Sequence, residues 1–371
     1  MASSRKTHWF HGNANRQGAA ALLCALAFIA SLAEPCAAED FLFRGVRVFT
    51  GSSTVPAADV LVSNGTITSI TALNHTAALS GPPLPGRTLG STPTIIDGSG
   101  RTLLPGLIDT HVHLVTLSAA PTQVAHENFF ASLLPQRLQA YLAAGVTTVR
   151  SLGDALSIIR PVREALQDGS LPGPDLLFAG PVFTSPGGPP VALVCIGQSW
   201  CVDQFIRTEA SPAEVQAKVD ALALQGVDVI KVVYDNFGGA TQLSPLLVSA
   251  LVSAANSNGL QVAAHTSAFV SHAADLATLG VQSIEHTMVQ PLSGSALGNA
   301  LVASGTTYVT TLANVAATQP GALPTALANV GQLHIDGVSL VLGSDTSGLL
   351  PPGDTTIHEV ELLVEAGLSP T

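Results

Sequence analysis

The sequence has 371 residues, of which 47% are hydrophobic and 11% are charged, and this composition excludes a generally disordered chain. The 14 basic and 25 acidic residues give a formal net charge of −11, which argues against a nucleic-acid-binding protein because such proteins need a basic face. The length suits one large α/β domain or two domains of average size.

The N-terminal residues have the organisation of a secretory signal peptide. The mean hydropathy of +0.42 raises the question of a membrane span, and the strongest apolar run extends from Ala19 to Ala33. Basic residues precede this run, and the small residues Cys36-Ala37-Ala38 follow it. The run is shorter than the roughly 20 residues of a spanning helix, so we predict a signal peptide over 1–38 and a secreted or periplasmic protein. An uncleaved anchor is the alternative; after cleavage, no stable membrane span is expected.

The cysteines fit an exported protein. Cys24 and Cys36 lie within the predicted signal peptide, whereas Cys195 and Cys201 remain together in one loop-like stretch. An even pair in an oxidising compartment favours a disulfide between Cys195 and Cys201, and two unrelated thiols are the alternative.

Residues 39–102 differ in pattern from the rest of the chain. Short apolar stretches separated by Gly and Asn turns over 41–72 predict short strands. Residues 74–99 are rich in Pro, Gly, Ser and Thr, and they predict a long exposed insertion.

From Thr102 onward, short apolar runs alternate with helical stretches, which is typical of a parallel α/β sheet. The eight predicted strands are Leu103–Ile108, Val146–Val149, Leu176–Ala179, Val227–Val233, Gln261–Ala264, Ser283–Glu285, Tyr308–Thr310 and Val338–Leu342. Helices are predicted over 126–143, 155–167, 212–225, 244–257, 271–279 and 295–304. Eight such units indicate a closed TIM-type (β/α)8 barrel over residues 103–371 rather than an open sheet.

Polar residues at the carboxyl ends of these strands are the candidates for chemistry, because barrel enzymes build their sites there. The first strand leads into His111 and His113, whose side chains share one face and are able to bind one metal ion. His265 and His286 close two further strands, and Asp345 follows the eighth. Taken singly, each histidine also fits a polar loop or a hydrogen-bonded structural position, and Asp345 also fits a turn or cap.

Lys231 is unusual because it lies inside the apolar strand sequence Val-Ile-Lys-Val-Val. A lysine there must have its charge neutralised, paired or chemically altered. One solution is carbamylation by carbon dioxide, which makes a carboxylate able to bridge two metal ions. A lysine that snorkels from a strand end is the alternative.

Three further residues are predicted to contact substrate. Tyr234 follows the strand of Lys231, Arg150 ends the second strand, and His358 is expected near the barrel mouth. The side chains of Tyr234 and Arg150 suit a substrate carboxylate or carbonyl group.

Five short motifs occur in the order of the predicted barrel strands. They are Pro105-Gly106-Leu107-Ile108-Asp109-Thr110-His111-Val112-His113, Ile230-Lys231-Val232, Ala264-His265, Ile284-Glu285-His286-Thr287 and Gly343-Ser344-Asp345. Together they resemble the amidohydrolase superfamily, and within it the imidazolonepropionase-like and prolidase-like branch. The segments 145–150 and 361–368 also resemble that branch, so the resemblance covers about residue 41 to the end of the chain.

The resemblance implies a metal-dependent hydrolase of C–N bonds with two divalent ions, usually Zn²⁺, although Mn²⁺ or Co²⁺ also suits such ligands. The implied metal ligands are His111, His113, Lys231, His265, His286 and Asp345. His111, His113 and Asp345 would hold one ion, His265 and His286 the other, and carbamylated Lys231 would bridge them. Asp345 would also take a proton from a metal-activated hydroxide and pass it to the leaving amine. The implied substrates are small molecules such as dipeptides or N-acyl amino acids, and a homo-oligomer is one option for assembly.

The sequence departs from the family pattern in three places. The glycine-rich loop over 184–190 lacks a histidine often found there, and Ser151 stands where an aspartate commonly follows the arginine. The sequence also ends shortly after the helix that follows the eighth strand, whereas relatives normally continue and complete a small β-sandwich. Residues 41–72, with 94–104 as a further candidate, are therefore expected to form only part of that sandwich.

Two alternatives to a dipeptidase-like hydrolase stay open. A cyclic-amide hydrolase or a deaminase would belong to the same superfamily, although a deaminase commonly uses one metal ion and needs no bridging lysine. A non-catalytic truncated remnant is the other alternative, because the sequence lacks the family's usual terminal segment.

Overall fold

The computed structural model of the protein describes residues 39–73, 92–116, 122–236, 239–267, 269–348 and 350–369. The predicted signal peptide lies outside these residues, as does most of the predicted insertion. No helix in the described stretches is both long enough and apolar enough to cross a membrane. The chain forms two compact units, one ending at Leu107 and the other covering Ile108–Leu368.

The N-terminal unit contains one mixed sheet of five strands. They are β1 (Phe41–Phe49), β2 (Thr54–Ser63), β3 (Thr66–Ala72), β4 (Thr94–Asp97) and β5 (Thr102–Leu103). β1 pairs antiparallel with β2 and parallel with β4 and β5. A tight turn at Asn64 and Gly65 joins β2 to β3, and both turn residues have the positive φ that Asn and Gly tolerate. β4 lies within residues 94–104, the further candidate for the small sandwich, at the end of the stretch predicted as an exposed insertion.

The second unit is an α/β barrel of the TIM type, as the sequence predicts. Its strand segments are β6 (Leu107–Val112), β7 (Val146–Ser151), β8 (Asp175–Phe178), β9 (Val182–Phe183), β10 (Ile206–Arg207), β11 (Val229–Val233), β12 (Gln261–His265), β13 (Ser283–Glu285), β14 (Thr307–Thr310) and β15 (Leu340–Leu342). β8 and β9 together make the third barrel strand, and β10 is a short addition beside β9. All pairings between these segments are parallel, so their carboxyl ends meet at one rim.

Backbone hydrogen bonds bring the last barrel strand beside the first. Asp345 N donates to His111 O at 2.8 Å, and His113 N donates to Thr346 O at 2.7 Å. Val112 and Thr346 also form a parallel bridge. The histidine pair of the first strand is thus held against the aspartate that follows the eighth.

Helices connect the barrel strands along the outside of the sheet. They are α1 (Gln123–Ala143), α2 (Leu156–Gln167), α3 (Pro189–Leu193), α4 (Ser199–Phe205), α5 (Pro212–Leu224), α6 (Pro245–Ser257), α7 (Val270–Leu279), α8 (Ala296–Ser304), α9 (Leu312–Thr318), α10 (Leu323–Ile335) and α11 (Asp354–Glu365), with a 3-10 turn at Pro320–Ala322. The start of α5 shows how sequence fixes such a boundary: Ser211 and Glu214 cap each other's backbone amides, and Pro212 occupies the first helical position.

Two parts of the barrel differ from the sequence prediction. The predicted first strand, Leu103–Ile108, is misplaced, because Leu103 belongs to the N-terminal sheet and the barrel strand begins at Leu107. Pro105 lies between the two strands, where its missing amide hydrogen cannot continue a ladder. His111 is therefore inside a strand rather than beyond its end. The connection between β14 and β15 contains helical segments over 312–335 that the prediction lacks.

The structure joins Cys195 and Cys201 in a disulfide, with a Cα–Cα distance of 5.2 Å. Both cysteines are buried, and Cys201 lies in α4. The bond thereby ties α4 to the turn that precedes it.

Glu359 on α11 is a buried carboxyl group in the barrel unit. Its Oε2 accepts a hydrogen bond from Ala313 N, at the start of α9, at 2.6 Å. Burial raises the pKa of Glu359 to about 7, although hydrogen bonds from Ala313 and Thr310 act in the opposite direction. Nearby Asp109, whose own pKa is raised by burial, adds to the rise.

We expect Glu359→Gln to flatten the pH dependence of stability between pH 4.5 and about 7. The folded wild type keeps this proton up to about pH 7, whereas the unfolded chain releases it near pH 4.5, so the free energy of unfolding falls as pH rises through this window. A shift of that size corresponds to about 3 kcal/mol. Denaturant unfolding of both proteins at about pH 5 and about pH 8 measures it, and an equal loss in both would contradict the assignment.

Candidate metal centre

Four predicted ligands meet at the carboxyl rim of the barrel. His113 Nε2 lies 3.2 Å from Asp345 Oδ1, and His286 Nδ1 lies 3.3 Å from Asp345 Oδ2. His111 Nε2 lies 3.6 Å from Asp345 Oδ1. One ligand atom each from His111, His286 and Asp345 fall within 4.8 Å of one another, a spacing that suits a single metal ion.

His265 extends this group on the side of β12. Its ring centroid lies 4.3 Å from that of His286, compared with 4.4 Å between His111 and His286. Its Nε2 also lies 3.9 Å from Asp235 Oδ2. The ring of His286 is therefore a neighbour of both other rings, as expected if two neighbouring ions share the site.

Lys231 lies in the middle of β11 and is 2% exposed, which excludes the snorkelling interpretation. Its Nζ has no hydrogen-bond partner among the described residues. Burial lowers the pKa of Lys231 to about 8, although Glu285 and Asp345 act in the opposite direction. The neutral fraction of this amine near neutral pH is therefore larger than that of an ordinary lysine, and the neutral amine is the form that reacts with carbon dioxide.

The backbone at the rim is shaped to present these ligands. His286 and Asp345 have φ values of 79° and 53°, a left-handed conformation that non-glycine residues adopt at a cost. Gly343 allows the end of β15 to approach β6, because a Cβ there would lie 2.6 Å from the Cβ of His111. The close approach at Gly343 and the left-handed backbones of His286 and Asp345 therefore all occur at the rim, where the predicted ligands lie.

The surroundings of His111 and His265 favour their neutral forms, beside an ionised Asp345. Burial, together with the positive charges of neighbouring groups such as Lys231 and His286, holds the pKa of His111 well below its usual range, and the pKa of His265 is lowered in the same way. Burial alone would raise the pKa of Asp345, but the surrounding histidines hold it well below its usual range. Neutral imidazole and ionised carboxylate are the forms that bind metal ions.

A divalent metal ion fits the donor atoms that the structure presents. His111 Nε2, His265 Nε2 and Lys231 Nζ are buried and lack hydrogen-bond partners among the described residues. Buried polar atoms are normally paired, so atoms left unpaired around one point indicate a missing partner. Histidine nitrogen and carboxylate oxygen are the donors that Zn²⁺ takes.

The structure gives protein partners to the three residues predicted to contact substrate. Tyr234 is 1% exposed and faces α7, where it contacts His272 and hydrogen-bonds Asp275. Alternation along the strand turns it away from the face of Lys231. His358 lies on the exposed side of α11, 3.9 Å from Glu361. The substrate contacts of Tyr234 and His358 stay predictions.

Arg150 lies inside the barrel rather than at the rim. Its Nη2 donates to Glu285 Oε1 at 2.8 Å, and its Nε donates to Thr110 O at 2.6 Å. The guanidinium group is thus engaged with two barrel strands, and its contact with substrate stays a prediction.

Two buried acids contact the predicted ligands, and the sequence analysis assigned neither of them this role. Glu285 lies 2.7 Å from His111 Nδ1 through its Oε2. Asp235 accepts hydrogen bonds from Asn236 N and Ser267 N beside His265. The signal for Glu285 was available, because it is a charged residue in an apolar strand in the same way as Lys231.

Ser151, which replaces the family's usual aspartate, supports the chain that follows the histidine pair. Its Oγ accepts from Leu114 N at 2.8 Å. Asp154, three residues later, accepts from Val115 N at 3.2 Å and from Thr116 Oγ1 at 2.8 Å. The segment directly after His113 is therefore fixed by side chains of the neighbouring loop.

Comparisons with known proteins agree with this arrangement. The sequence pattern of the amidohydrolase family matches residues 102–371, more than half of the chain. Imidazolonepropionase from Caulobacter vibrioides (strain NA1000 / CB15N) is 29% identical over 76% of this chain and 74% of that protein. Among solved structures, a Xaa-Pro dipeptidase with bound methionine in the active site is 24% identical, with a TM-score of 0.69 over 89% of this chain and 84% of that one. A. niger ochratoxinase is 20% identical, with a TM-score of 0.71 over 90% and 81% of the two chains. These two structures share the fold.

Proposed function

The chain belongs to the amidohydrolase family, and from this premise we propose that it hydrolyses the C–N bond of a small amide or peptide-like substrate at a divalent metal centre. The observation that carries the proposal is the convergence of His111, His113, His286 and Asp345 around one point of the barrel rim. The buried amine of Lys231 interacts electrostatically with Asp345 of this cluster. A coarser assignment, a metal-dependent hydrolase of C–N bonds, follows from the family alone.

Two Zn²⁺ ions are the proposed cofactors. His111, His113 and Asp345 would hold one ion, and His265 and His286 the other. Lys231 would bridge them as a carbamate, and its burial and lowered pKa support that modification. When bound, such ions supply polarisation of a carbonyl group and a water molecule of lowered pKa.

Asp345 is the proposed proton carrier of the reaction. Its carboxylate is ionised and lies at the centre of the cluster, within 3.2 Å of His113 and 3.3 Å of His286. It would accept a proton from the water that attacks the carbonyl carbon and deliver that proton to the departing nitrogen. The C–N bond then breaks to give a carboxylic acid and an amine.

Linear substrates such as dipeptides or N-acyl amino acids are proposed first, because the Xaa-Pro dipeptidase is among the structural neighbours. A cyclic amide is the second candidate, and the 29% identical imidazolonepropionase favours it. Opening a cyclic amide uses the same attack on a carbonyl carbon, but the leaving nitrogen stays attached to the product.

Export of the protein from the cytoplasm is also proposed. The basic and apolar pattern of residues 1–38 supports it, and so does the Cys195–Cys201 disulfide, since such bonds persist in oxidising compartments.

Metal analysis combined with a substrate panel tests the proposal. The purified protein is assayed for bound divalent ions and for hydrolysis of dipeptides, N-acyl amino acids and cyclic amides, before and after treatment with a chelator. We expect bound zinc and chelator-sensitive hydrolysis of a linear amide. Hydrolysis of cyclic amides alone would select the second candidate, whereas neither metal nor hydrolysis would reject the assignment in favour of a non-catalytic remnant.

A further inference from the structure

Glu285 is a fully buried acid whose carboxylate contacts three barrel residues. It ends β13 and directly precedes the proposed ligand His286. Its Oε2 lies 2.7 Å from His111 Nδ1, while its Oε1 accepts hydrogen bonds from Arg150 Nη2 at 2.8 Å and Ser283 Oγ at 2.6 Å. Both carboxylate oxygens therefore have hydrogen-bond partners inside the barrel, and neither faces the substrate side of the rim.

The chemistry of these contacts fixes the position of the proton on His111. Glu285 is paired with a guanidinium group, which keeps the carboxylate ionised, and an ionised carboxylate only accepts hydrogen bonds. His111 Nδ1 must therefore be the donor, and the lone pair of the neutral ring lies on Nε2. We infer that Glu285 is a positioning residue that presets His111 as a metal ligand through Nε2, and that Arg150 holds Glu285 in place.

The surroundings of Nε2 explain why this tautomer matters. Nε2 is buried, has no hydrogen-bond partner among the described residues, and lies 3.6 Å from Asp345 Oδ1. A lone pair and an ionised oxygen that face each other cannot form a hydrogen bond, whereas a cation between them binds both. The opposite tautomer would place a hydrogen on Nε2, bond it to Asp345 and block that position.

Arg150 extends the effect from the side chain to the backbone of β6. Its Nε donates to Thr110 O at 2.6 Å, one residue before His111, while its Nη2 holds Glu285. One planar side chain thus fixes the strand that carries His111 and the carboxylate that orients its ring. A lysine offers no such two-point geometry.

The inference rests on the metal centre of the proposed function, and metal affinity tests it without any assay of activity. Glu285→Gln keeps the shape of the side chain but removes its charge and allows its amide group to donate to Nδ1. Loss of such a partner of a ligating histidine weakens metal binding by about 10–100-fold, and we expect this loss for Zn²⁺ measured by competition with a chromophoric chelator. The visible spectrum of the Co²⁺-loaded variant should also change, because one ligand is altered.

Two further variants separate this role from a general contribution to folding. Glu361→Gln alters a carboxylate on α11 that is 72% exposed, and it should leave the Zn²⁺ affinity unchanged. Glu285→Asp keeps the negative charge for Arg150 but withdraws the oxygen from His111, so it should weaken binding even if the glutamine variant does not fold. Binding within about twofold of wild type in the folded Glu285 variants would overturn the inference. No Zn²⁺ binding by the wild type would instead reject the proposed function.

Discussion

Replacing Lys231 by methionine is expected to lower kcat/KM by about 10³-fold, the scale of losing a preorganised charged group at a reacting centre. The variant should also bind fewer metal ions, because the proposed bridge between the two ions is removed. Methionine is unbranched, similar in length and apolar, so it suits a position in β11 that is 2% exposed. We therefore expect the metal-free variant to have a thermal midpoint equal to or above that of the metal-free wild type, since an unpaired buried amine is removed.

Lys218→Met is the matched control for this experiment. Lys218 lies on α5, its side chain is 42% exposed, and its Nζ is 3.9 Å from Glu209. The change removes the same group from a surface position and should alter kcat/KM by less than about twofold, because surface substitutions seldom have larger effects. Comparing the two variants attributes the loss to the buried position rather than to lysine chemistry in general.

Activity retained in the Lys231 variant would select a centre with one metal ion and no bridging lysine. The cluster of His111, His286 and Asp345 is already compatible with one ion, so this outcome would leave a hydrolase in place but contradict the carbamate. The intact mass of the wild type, recorded in the presence and absence of bicarbonate, provides an independent measurement. A carbamate adds the mass of one carbon dioxide, and Lys231→Met should lack that addition.

The rim cluster could be predicted from sequence because strand order and strand ends determine it. Apolar runs place the strands, parallel pairing brings their carboxyl ends together, and His265, His286 and Asp345 are polar residues at those ends. Lys231 could be identified as a candidate because a charged group in an apolar strand is costly to bury unless it has a partner. These signals are local, and each can be found without knowing which strands are neighbours.

The partners of the rim residues could not be predicted, because they depend on distances between strands far apart in sequence. Arg150 meets Glu285 across 135 residues, and no local pattern distinguishes that pairing from a contact with substrate. Tyr234 lies near Lys231 in sequence but on the other face of the strand, where it contacts His272. Proximity to a ligand along the chain does not by itself place a side chain in the site.

The conformation of the rim was also hidden from the sequence analysis. His286 and Asp345 have left-handed backbone conformations, and no pattern in the adjoining residues predicts them. Gly343 gave a partial signal, since a glycine before a polar strand end is consistent with a close approach of two backbones. The strained residues are proposed metal ligands, which is where strain is commonly retained because the surrounding structure holds it.

Asp345→Asn is expected to lower kcat by about 10²–10⁴-fold, the range associated with loss of a general acid–base group. Asparagine has the same shape and keeps one oxygen, but it accepts no proton at neutral pH. The oxygen near His113 can still serve as a neutral ligand, so we expect KM to change less than kcat and one metal ion to remain bound. Steady-state kinetics and metal content of the same preparation measure both effects.

Asp168→Asn provides the control, because this exposed aspartate at the end of α2 only accepts a hydrogen bond from Ser170 N. It should leave kcat within about twofold of wild type.

Complete loss of metal from Asp345→Asn would show that the carboxylate acts mainly as a ligand, since the three nearby histidines would then be too weak to hold an ion alone. Retention of full kcat with full metal content would exclude Asp345 as the proton carrier. Another acid near the rim would then have to protonate the departing amine, and Asp235, the buried aspartate beside His265, would be the first to test.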